Sequence, residues 1–109
     1  MRRRHRLRGS RDFAAVRAER RGAGDLLVRV QVRLRADGEP RIGFAVSRRV
    51  GGAVARNKTR RRLRALCDRE LPAMRSVDVV VIPTAAALPA SFTELGEALH
   101  RVLARAGAL

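Results

Sequence analysis

The chain has 109 residues, of which 46% are hydrophobic, and this is enough for one globular domain over residues 1–109 with a single modest core. Its 25 basic residues, 24 of them arginine, outnumber 10 acidic residues and give a net charge of +15, so nucleic acid is the first candidate partner. A single cysteine excludes a disulfide framework, and the lack of a long apolar run excludes a membrane span or secretory signal, so we expect a cytoplasmic protein with no membrane partner.

The N-terminal region combines a basic segment with a short helix. Residues 1–9 contain five arginines and are predicted to form a flexible or RNA-ordered arm. Ser10 is a candidate N-cap, and Asp12 would then lie in the first helical turn, where the helix dipole favours a negative charge. Apolar side chains that include Phe13 follow, so we expect a helix over about residues 11–20, ended by the glycines after it.

Two strands are predicted next. Hydrophobic and polar residues alternate over residues 25–35, which indicates a half-buried strand with one apolar and one cationic face. The apolar face comprises Leu26, Val28, Val30, Val32 and Leu34. After a turn at residues 37–38, residues 41–47 form a return strand in which Ile42 and Phe44 face one way and small residues face the other. We expect these two strands to pair as an antiparallel hairpin.

A strongly basic helix is predicted over about residues 53–71, after the Gly51-Gly52 turn. No acidic residue occurs between Glu39 and Asp68, so nine cations share a stretch without an internal counter-charge. Residues at helical spacing predict a buried stripe of Thr59, Leu63, Leu66, Cys67 and Glu70. A segment that repels itself in this way needs an external polyanion to offset the repulsion, so we predict a docking surface for nucleic acid.

The C-terminal part supplies another strand and helix. Residues 77–82 form a β-branched run, which predicts a buried strand. Ser91 and Glu94 have the spacing of a capping box at the start of a clearly amphipathic helix. The predicted order α-β-β-α-β-α indicates an α+β fold, a two-layer sandwich of helices against one small sheet.

The chain offers no catalytic or metal-binding constellation. His5 and His100 stand in no metal-ligand spacing, and neither a nucleophile signature nor a phosphate-binding glycine motif occurs. We therefore predict no catalytic residue and no metal ligand in the protein. Aromatic residues make up only 3% of the chain, so recognition is expected to rely on phosphates and backbone shape more than on stacking.

Residues 46–64 carry a long motif, which reads Val-Ser-Arg-Arg-Val-Gly-Gly-Ala-Val-Ala-Arg-Asn-Lys-Thr-Arg-Arg-Arg-Leu-Arg. This motif resembles the signature of the bacterial ribonuclease P protein subunit. Residues 6–16 resemble the opening of that family, and the later strand and final helix follow in the expected order. The resemblance therefore spans nearly the whole chain.

The resemblance implies a protein cofactor of a catalytic RNA, with one protein per ribonuclease P RNA. In this family the RNA subunit is the endoribonuclease that removes the 5′ leader of precursor tRNA, with Mg²⁺ held mainly by the RNA and its substrate. The family fold, which is also that of a ribosomal-protein domain, includes a left-handed crossover between parallel strands. The residues that match the family's RNA-binding motif are Arg48, Arg49, Arg56, Asn57, Lys58, Arg60, Arg61 and Arg64.

The implied leader-binding site departs from the family pattern. Phe13 matches the family's leader-groove aromatic, but Arg17 stands where many members carry a second aromatic residue. Arg29 and Arg33 lie on a strand that often contributes Tyr or Phe. We therefore expect these four residues to bind the leader less by stacking and more by guanidinium contacts. In the motif, Lys58 replaces the commoner arginine and keeps the charge without the bidentate fork.

Other functions remain open at this point. Size and charge equally suit a ribosomal or ribosome-assembly RNA-binding protein without an enzymatic role. A free-standing nuclease is disfavoured by the missing catalytic residues, and a DNA-binding domain by the lack of helix-turn-helix spacing.

Overall fold

The computed structural model describes all residues, Met1–Leu109, as three α-helices and one four-stranded sheet, with short 3-10 helices between them. In chain order the main elements are α1 (Gly9–Ala18), β1 (Gly22–Gly24), β2 (Val28–Leu34), β3 (Arg41–Phe44), α2 (Ala53–Glu70), β4 (Val77–Pro83) and α3 (Phe92–Arg105). The α+β class is confirmed, and every predicted helix is present. The third strand is shorter than predicted, and β1 was not predicted at all.

β4 occupies an inner position in the sheet. The strand order is β1-β2-β4-β3, with β4 antiparallel to β2 and parallel to β3. The predicted hairpin between the second and third strands is therefore wrong, because β4 lies between them. Residues 77–81 are all buried, and a strand that is covered on both faces belongs inside a sheet. The parallel pair β3–β4 requires a long crossover connection, which α2 supplies.

β1 is a short glycine-rich edge strand. It pairs antiparallel with β2, placing Gly22 opposite Gln31 and Gly24 opposite Arg29. Glycine is depleted in strands, so these residues were predicted only to end the first helix. A Cβ atom at Gly22 would collide with the carbonyl oxygen of Val30, so this close approach of two backbones requires glycine.

The apolar face of β2 is shorter than predicted. Its central valines are buried, whereas Leu26 is 79% exposed and Leu34 is 38% exposed. The Asp25 side chain accepts hydrogen bonds from the backbone N–H groups of Leu27 and Val28, at 2.9 and 3.1 Å. This turn starts the strand at Val28 and leaves Leu26 outside it.

The sheet is covered on both faces. The larger core lies between the sheet and helices α2 and α3, and its members include Val28, Val30, Val32, Ile42, Val79, Val81, Leu63, Leu66, Cys67, Leu95 and Leu99. A smaller cluster under α1 contains Leu7, Val16 and Val80, with Phe13 and Ile82 packed against it. The predicted two-layer sandwich therefore gains a partial third layer, because α1 lies on the face opposite the other helices.

The two predicted helix caps have different outcomes. Ser91 Oγ accepts from the N–H of Glu94, and the Glu94 carboxylate accepts from the N–H of Ser91, both at 3.0 Å, which confirms the capping box. The backbone hydrogen bond from Ser91 lowers the pKa of Glu94. Ser10 is not an N-cap, because α1 begins before it and the Asp12 side chain accepts from the N–H of Arg8 at 3.0 Å instead.

The basic N-terminal segment, for which we expected a flexible or RNA-ordered arm, packs against the sheet. Leu7 is only 7% exposed, and its N–H donates to the carbonyl oxygen of Ile42 at 3.1 Å. Arg6 forms a parallel bridge with the same residue, after a 3-10 helix at Arg3–His5. The segment thus extends the sheet at its β3 edge, and burial of Leu7 in the smaller core stabilises it there.

Candidate nucleic-acid interface

α2 is anchored by a stripe of buried residues. These are Thr59, Leu63, Leu66 and Cys67, as predicted, while Glu70 is only partly buried. Burial raises the pKa of Cys67 to about 12, so its thiol stays neutral and acts as a small apolar side chain. Because this stripe fixes the rotation of the helix, the basic side chains are directed away from the core.

The cations on the outer side of α2 form no ion pair within the protein. Together with two arginines from the turn before the helix they form what we call the motif-helix surface. Its members are Arg56, Asn57, Lys58, Arg60, Arg61 and Arg64 on α2, and Arg48 and Arg49 in the turn. None of these cations forms an ion pair, although arginines elsewhere in the chain do. The surface therefore carries an uncompensated positive potential, which attracts a polyanion.

The side chains of this surface enclose a shallow cavity of about 410 Å³. It is lined by Val54, Asn57, Arg60, Arg61 and Arg64. Arg60 Nη1 donates to Asn57 Oδ1 at 3.2 Å, which leaves the amide N–H groups of Asn57 free to donate outward. The Nε–H groups of Arg56 and Arg64 are buried and have no acceptor within the protein. Their Nη groups have no acceptor within the protein either and are not buried, so phosphate oxygens from outside the protein can bind them.

Arg48 and Arg49 belong to the turn before α2. Both lie in the 3-10 helix Arg48–Val50, whose last residue is buried. Gly51 follows with a φ of +147°, and a Cβ atom there would lie 2.7 Å from the Cβ of Ala55. The strand-to-helix turn that the sequence predicts is therefore confirmed, and glycine is required for it.

Two arginines of the stretch between Glu39 and Asp68 instead form hydrogen bonds within the protein. Arg41 Nε and Nη2 donate to the carboxylate of Asp78, each at 2.9 Å, and Asp78 is only 1% exposed. Hydrogen bonding to Asp78 raises the pKa of Arg41, whose charge is thus compensated from outside the stretch. Arg62 donates to the carbonyl oxygens of Ala87 and Ala90, at 3.3 and 2.6 Å, and ties α2 to the segment before α3.

A second cationic site lies between α1, β1 and β2. It is a cavity of about 340 Å³, which we call the α1–β1 cavity. Its polar lining consists of Arg17, Arg20, Arg21, Arg29 and Gln31. Arg17 and Arg29 were predicted to act together, but Arg20 and Arg21 were missed because β1 was not predicted. A Cβ atom at Gly24 would lie 2.7 Å from Arg29 Cγ, so this glycine makes room for the Arg29 side chain.

Phe13 and Arg33 lie on the same face of the sheet but outside this cavity. The Phe13 ring packs over Gly43, where an added Cβ atom would lie 2.5 Å from Phe13 Cζ. Arg33 Nε lies 3.7 Å from Glu19 Oε1. The structure thus brings Arg17 and Arg29 together in one cavity. The other two predicted leader-binding residues lie outside it, where Phe13 contacts Gly43 and Arg33 lies near Glu19.

The remaining titratable groups are dispersed. His100 Nδ1 lies 2.9 Å from Glu70 Oε1, and Arg101 donates to Asp25 Oδ2 at 2.9 Å. No group of three His, Cys, Asp or Glu side chains is placed to hold a metal ion. None of the helices combines the length and apolar character that crossing a membrane requires.

Known proteins are similar to this chain in sequence. The model of the Ribonuclease P family matches residues 1–107. The chain is 46% identical over 107 residues to the ribonuclease P protein component of Acidothermus cellulolyticus, covering 94% of this chain and 88% of that protein. It is 36% identical over 111 residues to the ribonuclease P protein component of Symbiobacterium thermophilum, covering 100% of this chain and 96% of that protein.

Solved structures extend the likeness to the fold. The RNase P protein from Thermotoga maritima matches with a TM-score of 0.84 at 30% identity, covering 94% of this chain and 97% of that one. The RNase P protein of Staphylococcus aureus matches with a TM-score of 0.86 at 23% identity, covering 95% and 96%, and this likeness concerns the fold alone. The resemblance carried by residues 46–64 is confirmed over the full length, and the chain belongs to the ribonuclease P protein family.

Proposed function

We propose that this chain binds the catalytic RNA of ribonuclease P through the motif-helix surface and the 5′ leader of precursor tRNA through the α1–β1 cavity. Membership of the family makes it the protein component of ribonuclease P, an endoribonuclease of tRNA processing. The observation that carries the proposal is the motif-helix surface, where seven cations and one amide share an anchored helix and turn without an acidic partner. That surface fits the RNA subunit.

The chemistry of the motif-helix surface favours a folded RNA as its partner. Guanidinium groups bind phosphate oxygens bidentately, and Asn57 adds an amide that can hydrogen-bond a base or ribose. Phosphate contacts position a protein on RNA, while the shape of the RNA backbone selects the site. This division suits a protein whose binding surface is rich in arginine and poor in aromatic residues.

The α1–β1 cavity has the features of a site for single-stranded RNA. Four arginines converge on an open cavity of about 340 Å³ at the edge of the sheet. A cationic groove that tracks the backbone is the usual way to hold a single strand. We assign Arg17 and Arg29 to the leader phosphates, with Phe13 and Arg33 as flanking contacts on the same sheet face.

Charge neutralisation is the protein's main physical contribution in this proposal. The catalytic RNA and the precursor tRNA are both polyanions, so bringing them together is opposed by repulsion. A chain with a net charge of +15 lowers this repulsion where the two RNAs meet. Its contribution is therefore expected to be largest at low concentrations of Mg²⁺ and salt.

We assign catalysis to the RNA subunit, with Mg²⁺ held mainly by that RNA and its substrate. The carboxylates of the protein do not fit a magnesium site, because no three of them group together. Asp78 and Glu70 instead face Arg41 and His100. In this proposal the protein binds and positions the RNAs, and the RNA subunit carries out the catalysis.

Reconstitution tests this function. The purified protein is added to a ribonuclease P RNA at low Mg²⁺, and cleavage of precursor tRNA at the end of the leader is followed. We expect a large stimulation by the protein, saturating at one protein per RNA. No stimulation would favour a ribosomal or ribosome-assembly role, and cleavage by the protein without RNA would instead indicate a free-standing nuclease.

A further inference from the structure

A small cavity lies at the β3 edge of the sheet, where the N-terminal segment meets α2. It has a volume of about 150 Å³, and we call it the β3-edge cavity. The side chains that line it include Arg6, Leu7, Ile42, Phe44, Arg60 and Arg64. Three cations thus surround an apolar floor, which is a different composition from the α1–β1 cavity.

Two of the three cations of the β3-edge cavity, Arg6 and Arg64, lack acceptors within the protein, whereas Arg60 donates to Asn57. Neither Arg6 nor Arg64 takes part in an ion pair. The Nε–H of Arg64 is buried without any hydrogen-bond partner. The Nη groups of Arg64 also have no partner and are not buried, so they are free to bind a ligand that brings acceptor oxygens.

Phe44 differs from the other two aromatic residues in what covers its ring. The Phe13 ring is packed on Gly43, and the Phe92 ring lies under Arg69, whose guanidinium carbon is 5.1 Å from the ring centre. Phe44 packs against the larger core but is only partly buried, and it lines the cavity. Its free surface is therefore available to a planar apolar group.

We propose that the β3-edge cavity takes one unpaired nucleotide of the ribonuclease P RNA, with its base stacked on Phe44 and its flanking phosphates bound by Arg6 and Arg64. The inference rests on the proposed function. Pockets for whole small ligands usually exceed about 300 Å³, so a cavity of about 150 Å³ suits a single base with its phosphates outside.

The position of the cavity identifies the RNA subunit, not the leader, as the source of this nucleotide. Arg60 and Arg64 line both the β3-edge cavity and the shallow cavity of the motif-helix surface, so one RNA reaches both. The α1–β1 cavity lies at the opposite edge of the sheet, three strand spacings or roughly 14 Å away. A leader bound there is separated from Phe44 by the width of the sheet.

Fluorescence tests the stacking directly, because the chain contains no Trp and no Tyr. The substitution Phe44→Trp introduces a unique reporter at the cavity. We expect ribonuclease P RNA to quench its emission and a short single-stranded leader oligonucleotide to leave it unchanged. Unchanged emission with the RNA bound would overturn the stacking, and equal quenching by the leader alone would overturn the assignment to the RNA subunit.

Affinity measurements supply the second test. Phe44→Leu keeps an apolar contact with the core but removes the ring, and we expect it to weaken RNA binding roughly tenfold, in the range for one base stacked on an aromatic side chain. Phe92→Leu is the matched control, since its ring is covered by Arg69, and its RNA affinity should equal that of the wild type. Equal affinities for a folded Phe44→Leu variant and the wild type would contradict the inference.

A charge variant keeps the test decisive if Phe44→Leu does not fold. Arg6→Ala leaves the core untouched and should weaken RNA binding with a smaller salt dependence; an unchanged affinity and salt slope would overturn the site. Arg61→Ala tests the proposed function separately from the nucleotide site, because Arg61 lines the shallow cavity of the motif-helix surface but not the β3-edge cavity. If Arg61→Ala weakens binding while the Phe44 and Arg6 variants do not, the docking surface stands and the nucleotide site is wrong.

Discussion

The motif-helix surface and the α1–β1 cavity carry the same charge but are built differently. The first is presented mainly by one helix of 18 residues, whose buried stripe fixes its orientation. The second is assembled from α1, the residues after it and β2, around an edge strand of three residues. A surface on one anchored helix is preorganised, whereas the geometry of the cavity depends on how a short glycine strand pairs. Preorganisation suits a constant RNA partner, and the looser site suits leaders of varying sequence.

Acidic neighbours sharpen the contrast. No carboxylate pairs with the cations of the motif-helix surface, whereas Glu19 lies 3.7 Å from Arg33 beside the second site. The four arginines that line the α1–β1 cavity form no ion pair either, so Glu19 lowers the positive potential only beside Arg33, at the flank of the second site.

Removing two cations from α2 should have the largest effect. We expect the double variant Arg60→Ala/Arg64→Ala to weaken binding of ribonuclease P RNA by more than any change at the α1–β1 cavity. Two lost phosphate contacts should also reduce the slope of log affinity against log salt by about 1.4 to 1.8. Binding titrations over a series of KCl concentrations measure both quantities. Arg69→Ala is the control on the same helix, and an equal loss there would show that only total charge matters.

Arg29→Ala should act on the substrate and not on the RNA subunit. We expect the preference for precursor over mature tRNA to fall roughly three- to tenfold, the effect of one or two phosphate contacts at moderate salt. Competition binding of the two tRNAs to the holoenzyme measures this preference. Arg75→Ala removes an exposed arginine outside the cavity and should change nothing. If Arg29→Ala weakens both tRNAs equally, the leader assignment is wrong.

Gly24→Ala should lower the preference for precursor over mature tRNA, as Arg29→Ala does, but without removing any charge. The new Cβ atom would lie 2.7 Å from Arg29 Cγ and must push that side chain aside. We expect a smaller loss of leader preference than for Arg29→Ala, with unchanged RNA binding. Gly52→Ala is the matched control, because nothing lies within 4 Å of its added Cβ atom. A preference equal to that of the wild type would mean that the position of the Arg29 stem is unimportant.

Glu19→Gln should give the smallest effect and the opposite sign. The change removes the carboxylate beside Arg33, so the leader should bind slightly more tightly, by no more than about threefold, because exposed ion pairs are weak. The same competition assay at low salt measures the gain. A weaker leader would indicate that Glu19 positions Arg33 productively.

The two regions also differ in how far the sequence predicts them. The orientation of α2 follows from residues three and four apart, such as Leu63 and Cys67, so local spacing was sufficient. The α1–β1 cavity depends on β1, whose glycines have no strand signature, and Arg20 and Arg21 were therefore missed. The motif at residues 46–64 was sufficient to identify the family. The full set of residues that line the α1–β1 cavity could be identified only from the structure.

Long-range pairing explains the wrong strand order. The turn signal at residues 37–38 indicates a hairpin, but β2 and β3 are separated by β4, which is the better neighbour for both. Arg41 and Asp78 illustrate the difficulty, because their bidentate pair joins positions 37 residues apart. Nothing in the spacing of either residue identifies the other as its partner.

The position of β4 has a consequence for synthesis. It is the last strand to leave the ribosome, yet two of the three strand pairings in the sheet involve it. Until residue 83 has emerged, α2 has no completed sheet to pack against. Its cations then lie on a segment that tertiary contacts do not yet stabilise. Sheets that pair distant segments also form slowly. The nascent chain therefore exposes its most basic segment before that segment has its final form, so early contact with RNA and completion of the fold compete in time.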